Sequence, residues 1–119
     1  MPEEKKPKIL IVDDEPKNIK LITAILKNYG YAFETAENGL EALEKAEKCS
    51  PDLILLDVMM PEMDGYEACK RLKSDPLTQH IPVVMVTSLA DRDSRIRGLE
   101  SGANDFLTKP VDSTEITLR

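Results

Sequence analysis

Three aspartates, a hydroxyl pair and a lysine stand directly behind short apolar runs in this chain. Ile9-Leu10-Ile11-Val12 ends at Asp13-Asp14, and Leu53-Ile54-Leu55-Leu56 ends at Asp57. Val83-Val84-Met85-Val86 ends at Thr87-Ser88, and Phe106-Leu107-Thr108 ends at Lys109-Pro110. Carboxylates, a hydroxyl and an ammonium form a donor set for a hard cation and a phosphoryl group. Two like charges ~4 Å apart cost roughly 4 kcal/mol at an effective dielectric of 20, so three gathered carboxylates need a cation. Oxygen-only ligands suit magnesium, calcium or manganese, and few protein ligands with several waters suit magnesium. In such a site Lys109 supplies a second positive charge, and Thr87 can hydrogen-bond a phosphoryl oxygen.

The elements that must gather these residues follow from the pattern. Apolar runs this short and uninterrupted read as strands buried on both faces, the habit of a parallel sheet covered by helices. Ligands bind at the carboxyl ends of such strands. Between the runs lie helical patterns. Pro16 suits a first helical position, Ile22, Ile25, Leu26 and Tyr29 keep helical spacing, and Gly30 ends that helix. Tyr31 to Ala36 is a more polar strand, expected at an edge. Asn38-Gly39 opens a second helix carrying Leu40, Leu43 and Ala46. Asp64 caps a third, with Tyr66, Cys69 and Leu72 inward, and Asp75-Pro76 breaks it. Pro82 fits the start of the fourth strand. A fourth helix, about Ala90 to Ser101, is largely polar, with Leu89, Ile96 and Leu99 to anchor it and Gly102 to end it. Right-handed crossovers then give an α/β fold, a doubly wound five-stranded parallel sheet in the order 2-1-3-4-5, flavodoxin-like. Only 112–119 remain for a fifth helix, about two turns, so the reading is that helix 5 is truncated and the chain a piece of a longer protein.

The gross numbers set bounds. The chain has 119 residues, 41% hydrophobic and 32% charged, which suits one globular domain. We expect residues 1–7, charged and with two prolines, to form a flexible tail before a domain at 8–119. A net charge of -6 argues against direct nucleic-acid binding. Cys49, Cys69 and the single His80 have no zinc spacing, and both cysteines are expected to be inert. No signal peptide or membrane span is legible, so a cytoplasmic location is expected.

Taken singly, Asp13-Asp14-Glu15 could be helix-capping acid, Thr87 an ordinary strand residue and Lys109 a surface lysine. Asp57 is harder to explain away, because a carboxylate directly after four apolar residues is costly unless paired or metal-bound. The coincidence of all four strand ends is what favours a site.

The segments Ile11-Val12-Asp13-Asp14-Glu15, Leu55-Leu56-Asp57-Val58-Met59-Met60-Pro61, Met63-Asp64-Gly65, Val86-Thr87-Ser88 and Asp105-Phe106-Leu107-Thr108-Lys109-Pro110 resemble the receiver domain of two-component response regulators. The resemblance spans about Lys8 to the C-terminus. It implies a signalling module whose only chemistry is its own phosphorylation and dephosphorylation. By it, Asp57 is the phosphoacceptor, charged by a sensor histidine kinase. Asp14, Asp57 and the backbone carbonyl of Met59 would ligate magnesium, or manganese in its place, with Asp13 acting mainly through water. Lys109, beside Pro110, would contact the phosphoryl group together with Thr87 and Ser88. Thr87 would move towards the phosphoryl oxygen and the ring of Phe106 would turn inward, repacking the face of helix 4, strand 5 and helix 5. That face would control an output domain or effector protein, and could support a homodimer. The stretch 98–110 resembles receivers joined to diguanylate cyclases. Met59 and Leu89 flank the expected path of hydrolytic water and, being apolar, point to slow self-dephosphorylation.

Three other readings compete with this one. A magnesium-dependent phosphatase with an aspartyl nucleophile would need a second acid where Met59 stands. A receiver-like scaffold that docks partners without phosphorylation would ordinarily lack an acid or the lysine. Nucleotide binding lacks both of its glycine-rich signatures.

Overall fold

The computed structural model describes residues 7–58, 63–87 and 92–108. Its elements run β1 (Lys8–Val12), α1 (Pro16–Asn28), β2 (Ala32–Ala36), α2 (Gly39–Cys49), β3 (Leu53–Asp57), α3 (Gly65–Ser74), β4 (Val83–Thr87), α4 (Arg92–Glu100) and β5 (Asp105–Thr108). The five strands are all parallel and lie in the expected order, β2-β1-β3-β4-β5.

Strand side chains alternate between faces, and the two faces carry separate cores. Leu10, Val12, Ile54, Leu56, Val83 and Met85 pack with Ala42, Ala46, Cys69 and Leu72 under α2 and α3. Ile9, Ile11, Leu55, Val84 and Val86 pack with Ile22 and Leu26 of α1 on the other. Both faces being covered explains why the runs are apolar without alternation in sequence. β2 is half-buried along most of its length, as its edge position requires.

The helix signals acted as read. Pro16 starts α1, and Gly30 follows it at φ +77°. Asn38 Oδ1 accepts the Glu41 N–H at 2.8 Å, and Asp64 Oδ1 accepts the Glu67 N–H at 2.9 Å. Each such cap contributes about 1 kcal/mol. Gly102, at φ +99°, leads the chain out of α4. Pro82 lies just before β4, its carbonyl accepting the Ile54 N–H.

Four apolar assignments were wrong. Tyr29 lies beyond the end of α1, half exposed, and stacks on Tyr31. Leu40 is exposed because Gly39, Ala42 and Ala46 form the buried row of α2. Ile96 and Leu99 are also exposed, at 41% and 64%, while Gly98, Ser101 and Ala103 are buried. α4 therefore approaches the fold through small residues, where sequence periodicity pointed to large ones. Leu89, the proposed fifth helix and residues 1–6 lie outside the described residues.

Candidate functional site

Asp13 follows β1 and Asp57 ends β3. These strands are neighbours, with Val12 opposite Leu56, so the two aspartates arrive side by side. Both are almost fully buried, at 2% and 4% exposure, whereas Asp14 is exposed. The Asp13 N–H donates to the Ala36 carbonyl at 3.0 Å, and Asp13 Oδ1 accepts the Glu15 N–H at 2.9 Å. These bonds fix the turn from β1 into α1 and hold the Asp13 carboxylate in place. One carboxylate oxygen from each of Asp13, Asp14 and Asp57 lies within 4.8 Å of the others.

That spacing suits a single hard cation. All three donors are oxygens, they belong to short, well-anchored segments, and Asp14 keeps one side open to water. Without a cation each pair at 4.8 Å would repel by about 3.5 kcal/mol at a dielectric of 20.

The other strand ends meet the same rim. Asp57 is opposite Val86, the residue before Thr87, and Thr87 is opposite Thr108, the residue before Lys109. Phe106 lies in β5 opposite Met85. The backbone thus brings together the ends of β1, β3, β4 and β5. The side chains of Thr87 and Phe106, and the whole of Met59, Ser88, Leu89, Lys109 and Pro110, lie outside the described residues.

Gly65, the last residue of the Met63-Asp64-Gly65 motif, borders the site and has a packing role there. Gly65 opens α3 directly against the phosphoacceptor candidate's backbone. A Cβ there would sit 2.3 Å from the Asp57 carbonyl oxygen and 2.8 Å from the Val58 Cα, and the Gly65 N–H donates to the Val58 carbonyl at 2.8 Å. No other residue tolerates that approach. A glycine immediately after an N-capping aspartate, at a helix start that must pass under a strand end, was the available signal.

Away from the rim, burial pushes the Cys69 thiol pKa up, against the smaller opposing effects of Ser101 and Lys73. Cys69 therefore stays a protonated core residue. Burial lowers the Lys73 pKa, and its ammonium donates to the Ile81 carbonyl at 2.7 Å. A groove of about 340 Å³ lined by Pro16, Ile19, Lys20, Phe33 and Thr35 opens beside Asp14. Among the described residues no helix is long and apolar enough to cross a membrane.

Comparison with known proteins agrees with this geometry. The chain is 53% identical over 112 residues to the response regulator PleD of Caulobacter vibrioides, covering 94% of this chain and 25% of PleD. It thus spans about a quarter of that relative's length. The receiver domain of the sensor histidine kinase PA1611 from Pseudomonas aeruginosa, solved with a magnesium ion coordinated in its active-site cleft, superposes with a TM-score of 0.89 at 32% identity, over 96% of this chain and 93% of that one. The chemotaxis response regulator CheY4 of Vibrio cholerae superposes with a TM-score of 0.90 at 32% identity, over 96% and 95%. Residues 9–119 match the response regulator receiver domain family. With the parallel 2-1-3-4-5 sheet and the acidic rim between β1 and β3 already in place, the chain belongs to the receiver domains of two-component response regulators.

Proposed function

We propose that Asp57 is the phosphoacceptor of this receiver and that Asp13, Asp14, Asp57 and the Met59 backbone carbonyl hold its divalent cation. The observation that carries the reading is the convergence of three carboxylates within 4.8 Å, two of them buried. An Asp57 carboxylate oxygen attacks the phosphorus of a phosphohistidine on a sensor kinase. The new O–P bond forms as the N–P bond breaks, and the imidazole leaves with that electron pair. Bound magnesium, or manganese through the same oxygen donors, neutralises charge on the phosphoryl oxygens. Asp14 and Asp57 would hold the cation directly, with Asp13 acting mainly through water. Thr87, Ser88 and Lys109, beside Pro110, contact the phosphoryl group, and Phe106 turns inward as Thr87 moves.

The unit that does this is residues 8–119, with 1–7 as a tail, in the cytoplasm where the kinase presents its phosphohistidine. It catalyses only its own phosphorylation and dephosphorylation. The groove beside Asp14 leaves room for the kinase surface. The output is a further domain or effector protein that reads the face of α4, β5 and the following helix, or a homodimer formed through that face. The stretch 98–110 supports a diguanylate-cyclase-linked subtype. The exposure of Ile96 and Leu99 supports the use of this face. Met59 and Leu89 cannot orient water, so the acyl phosphate is long-lived.

Intact mass after incubation with acetyl phosphate, with and without magnesium, tests the reading. We expect a magnesium-dependent gain of one phosphoryl group that is absent in Asp57→Asn. No gain in folded, magnesium-binding protein would replace the reading with the docking scaffold. Following the decay of the labelled protein in magnesium tests the lifetime, and decay within seconds would remove the roles given to Met59 and Leu89.

A further inference from the structure

α4 is a nine-residue helix whose described side chains, from Ile96 onward, are anchored by few buried contacts. Its large apolar side chains, Ile96 and Leu99, face outward, and its buried positions near the C-terminal end are Gly98 and Ser101. Nine residues are too few for a helix to persist without tertiary contacts. Besides its contact with β5, the described attachments of α4 fall into two groups. At the C-terminal end, Ser101 lies against Cys69, with its hydroxyl donating to the Gly98 carbonyl at 2.7 Å. Gly102 sits close over the Lys73 stem, so close that a Cβ would lie 2.9 Å from Lys73 Cγ. This end is pinned to α3.

One turn upstream the attachment is different. The guanidinium of Arg97 lies 4.2 Å from the centroid of the Tyr66 ring. Arg97 is itself exposed, and Tyr66 is 7% exposed within the core. A cleft of about 200 Å³ between α3 and α4, lined by Tyr66, Lys70, Arg97, Glu100 and Ser101, leaves room for this contact to open.

Tyr66 directly follows Gly65, whose backbone rests on the Asp57–Val58 peptide and donates to the Val58 carbonyl. The first turn of α3 cannot shift without moving the backbone of Asp57. Asp57, Gly65, Tyr66, Arg97 and α4 thus form one connected series that runs through the first turn of α3.

We propose that Arg97 is a positioning residue, whose stacking on Tyr66 couples the orientation of α4 to the backbone of Asp57 and so tunes phosphoryl acceptance. α4 pivots about its pinned C-terminal end, and the stack is made in one orientation and broken in the other. A contact shifts such an equilibrium only through that difference. For an exposed cation–π pair the shift is about two- to fivefold. The inference rests on the reading of Asp57 as phosphoacceptor.

The test compares the rate of labelling by acetyl phosphate, with magnesium, for the full chain and five variants, four single and one double. Arg97→Met, which keeps the aliphatic stem and loses the charge, should change the rate about two- to fivefold. Arg97→Lys, which keeps a cation over the ring, and Tyr66→Phe, which keeps the ring, should stay close to the parent. In a Tyr66→Leu background, Arg97→Met should have no further effect on the rate. Equal rates for Arg97→Met and the parent would overturn the proposal. So would equal effects of Arg97→Met and Arg97→Lys, or additive effects of the Arg97 and Tyr66 changes. A loss of thermal stability with an unchanged rate would also overturn it, because Arg97 would then be structural only. Failure of the parent itself to label would refute the phosphoacceptor reading instead, which separates the two failures.

Discussion

Replacing Asp14 with asparagine should stabilise the protein when divalent cations are chelated, and should remove most of the stabilisation that magnesium provides. Asp14 places an oxygen within 4.8 Å of both Asp13 and Asp57. At that distance each repulsion is worth about 3.5 kcal/mol at a dielectric of 20 and about 0.9 kcal/mol in bulk water. Asp14 is exposed while its neighbours are buried, so the effective value lies between these limits and is reduced by solvent. The Asp13 carboxylate also accepts the Glu15 N–H, which offsets part of the remainder. A net relief of about 1–3 kcal/mol follows, smaller at high salt. Magnesium at one hundred times its dissociation constant adds about 2.7 kcal/mol to a protein that binds it only when folded. The variant, missing one charged ligand, should gain below about 1 kcal/mol at the same concentration. Urea denaturation of both proteins in chelator and in magnesium measures all four stabilities. The reasoning fails if Asp14→Asn is no more stable than the parent in chelator. It fails equally if both proteins gain the same from magnesium, since the carboxylates would then not share an ion.

Two further outcomes follow from close approaches elsewhere. Gly65→Ala puts a methyl group 2.3 Å from the Asp57 carbonyl oxygen, a clash with backbone that no rotamer relieves. It should cost about 3 kcal/mol or more in urea denaturation and lower acetyl-phosphate labelling, and a change below about 1 kcal/mol would contradict the packing. Glu47, near the end of α2, shares a hydrogen bond with Asp75, and this bond together with the Asp75 charge raises the Glu47 pKa above its ordinary 4.5. As pH rises past 4.5 the unfolded chain loses this proton first, so the Glu47 contribution becomes steadily less favourable to folding until the raised folded value is passed. Glu47→Gln should therefore raise Tm at pH 7, and its advantage over the parent should shrink on going down towards pH 4.5. An advantage that does not change with pH would refute this influence of Asp75 on Glu47.

Much of the fold was legible because its signals are local. Uninterrupted apolar runs identify strands buried on both faces, and the placing of Pro16, Gly30, Asn38, Asp64 and Gly102 marks helix ends whose geometry depends on a few neighbouring residues. The chirality of parallel crossovers then leaves few strand orders, and 2-1-3-4-5 is the one found. The residues Asp13, Asp14 and Asp57 could be nominated for the same reason, since each stands at the carboxyl end of a run.

Which side of a short helix is buried depends on what packs against it, and tertiary structure alone decided that. Ile96 and Leu99 have the spacing of an inner face, yet α4 turns Gly98 and Ser101 inward because its end must come close to Cys69 and Lys73. Leu40 loses its place to the smaller Gly39, which lies tight against Met63. The fit of Gly65 over the Asp57–Val58 peptide, the stack of Arg97 on Tyr66 and the 4.8 Å spacing of three carboxylates each join residues from different strands or helices. Sequence determines which residues end each strand. Distances between those ends are set by the register and twist of strands far apart in the chain, and only the folded sheet supplies them.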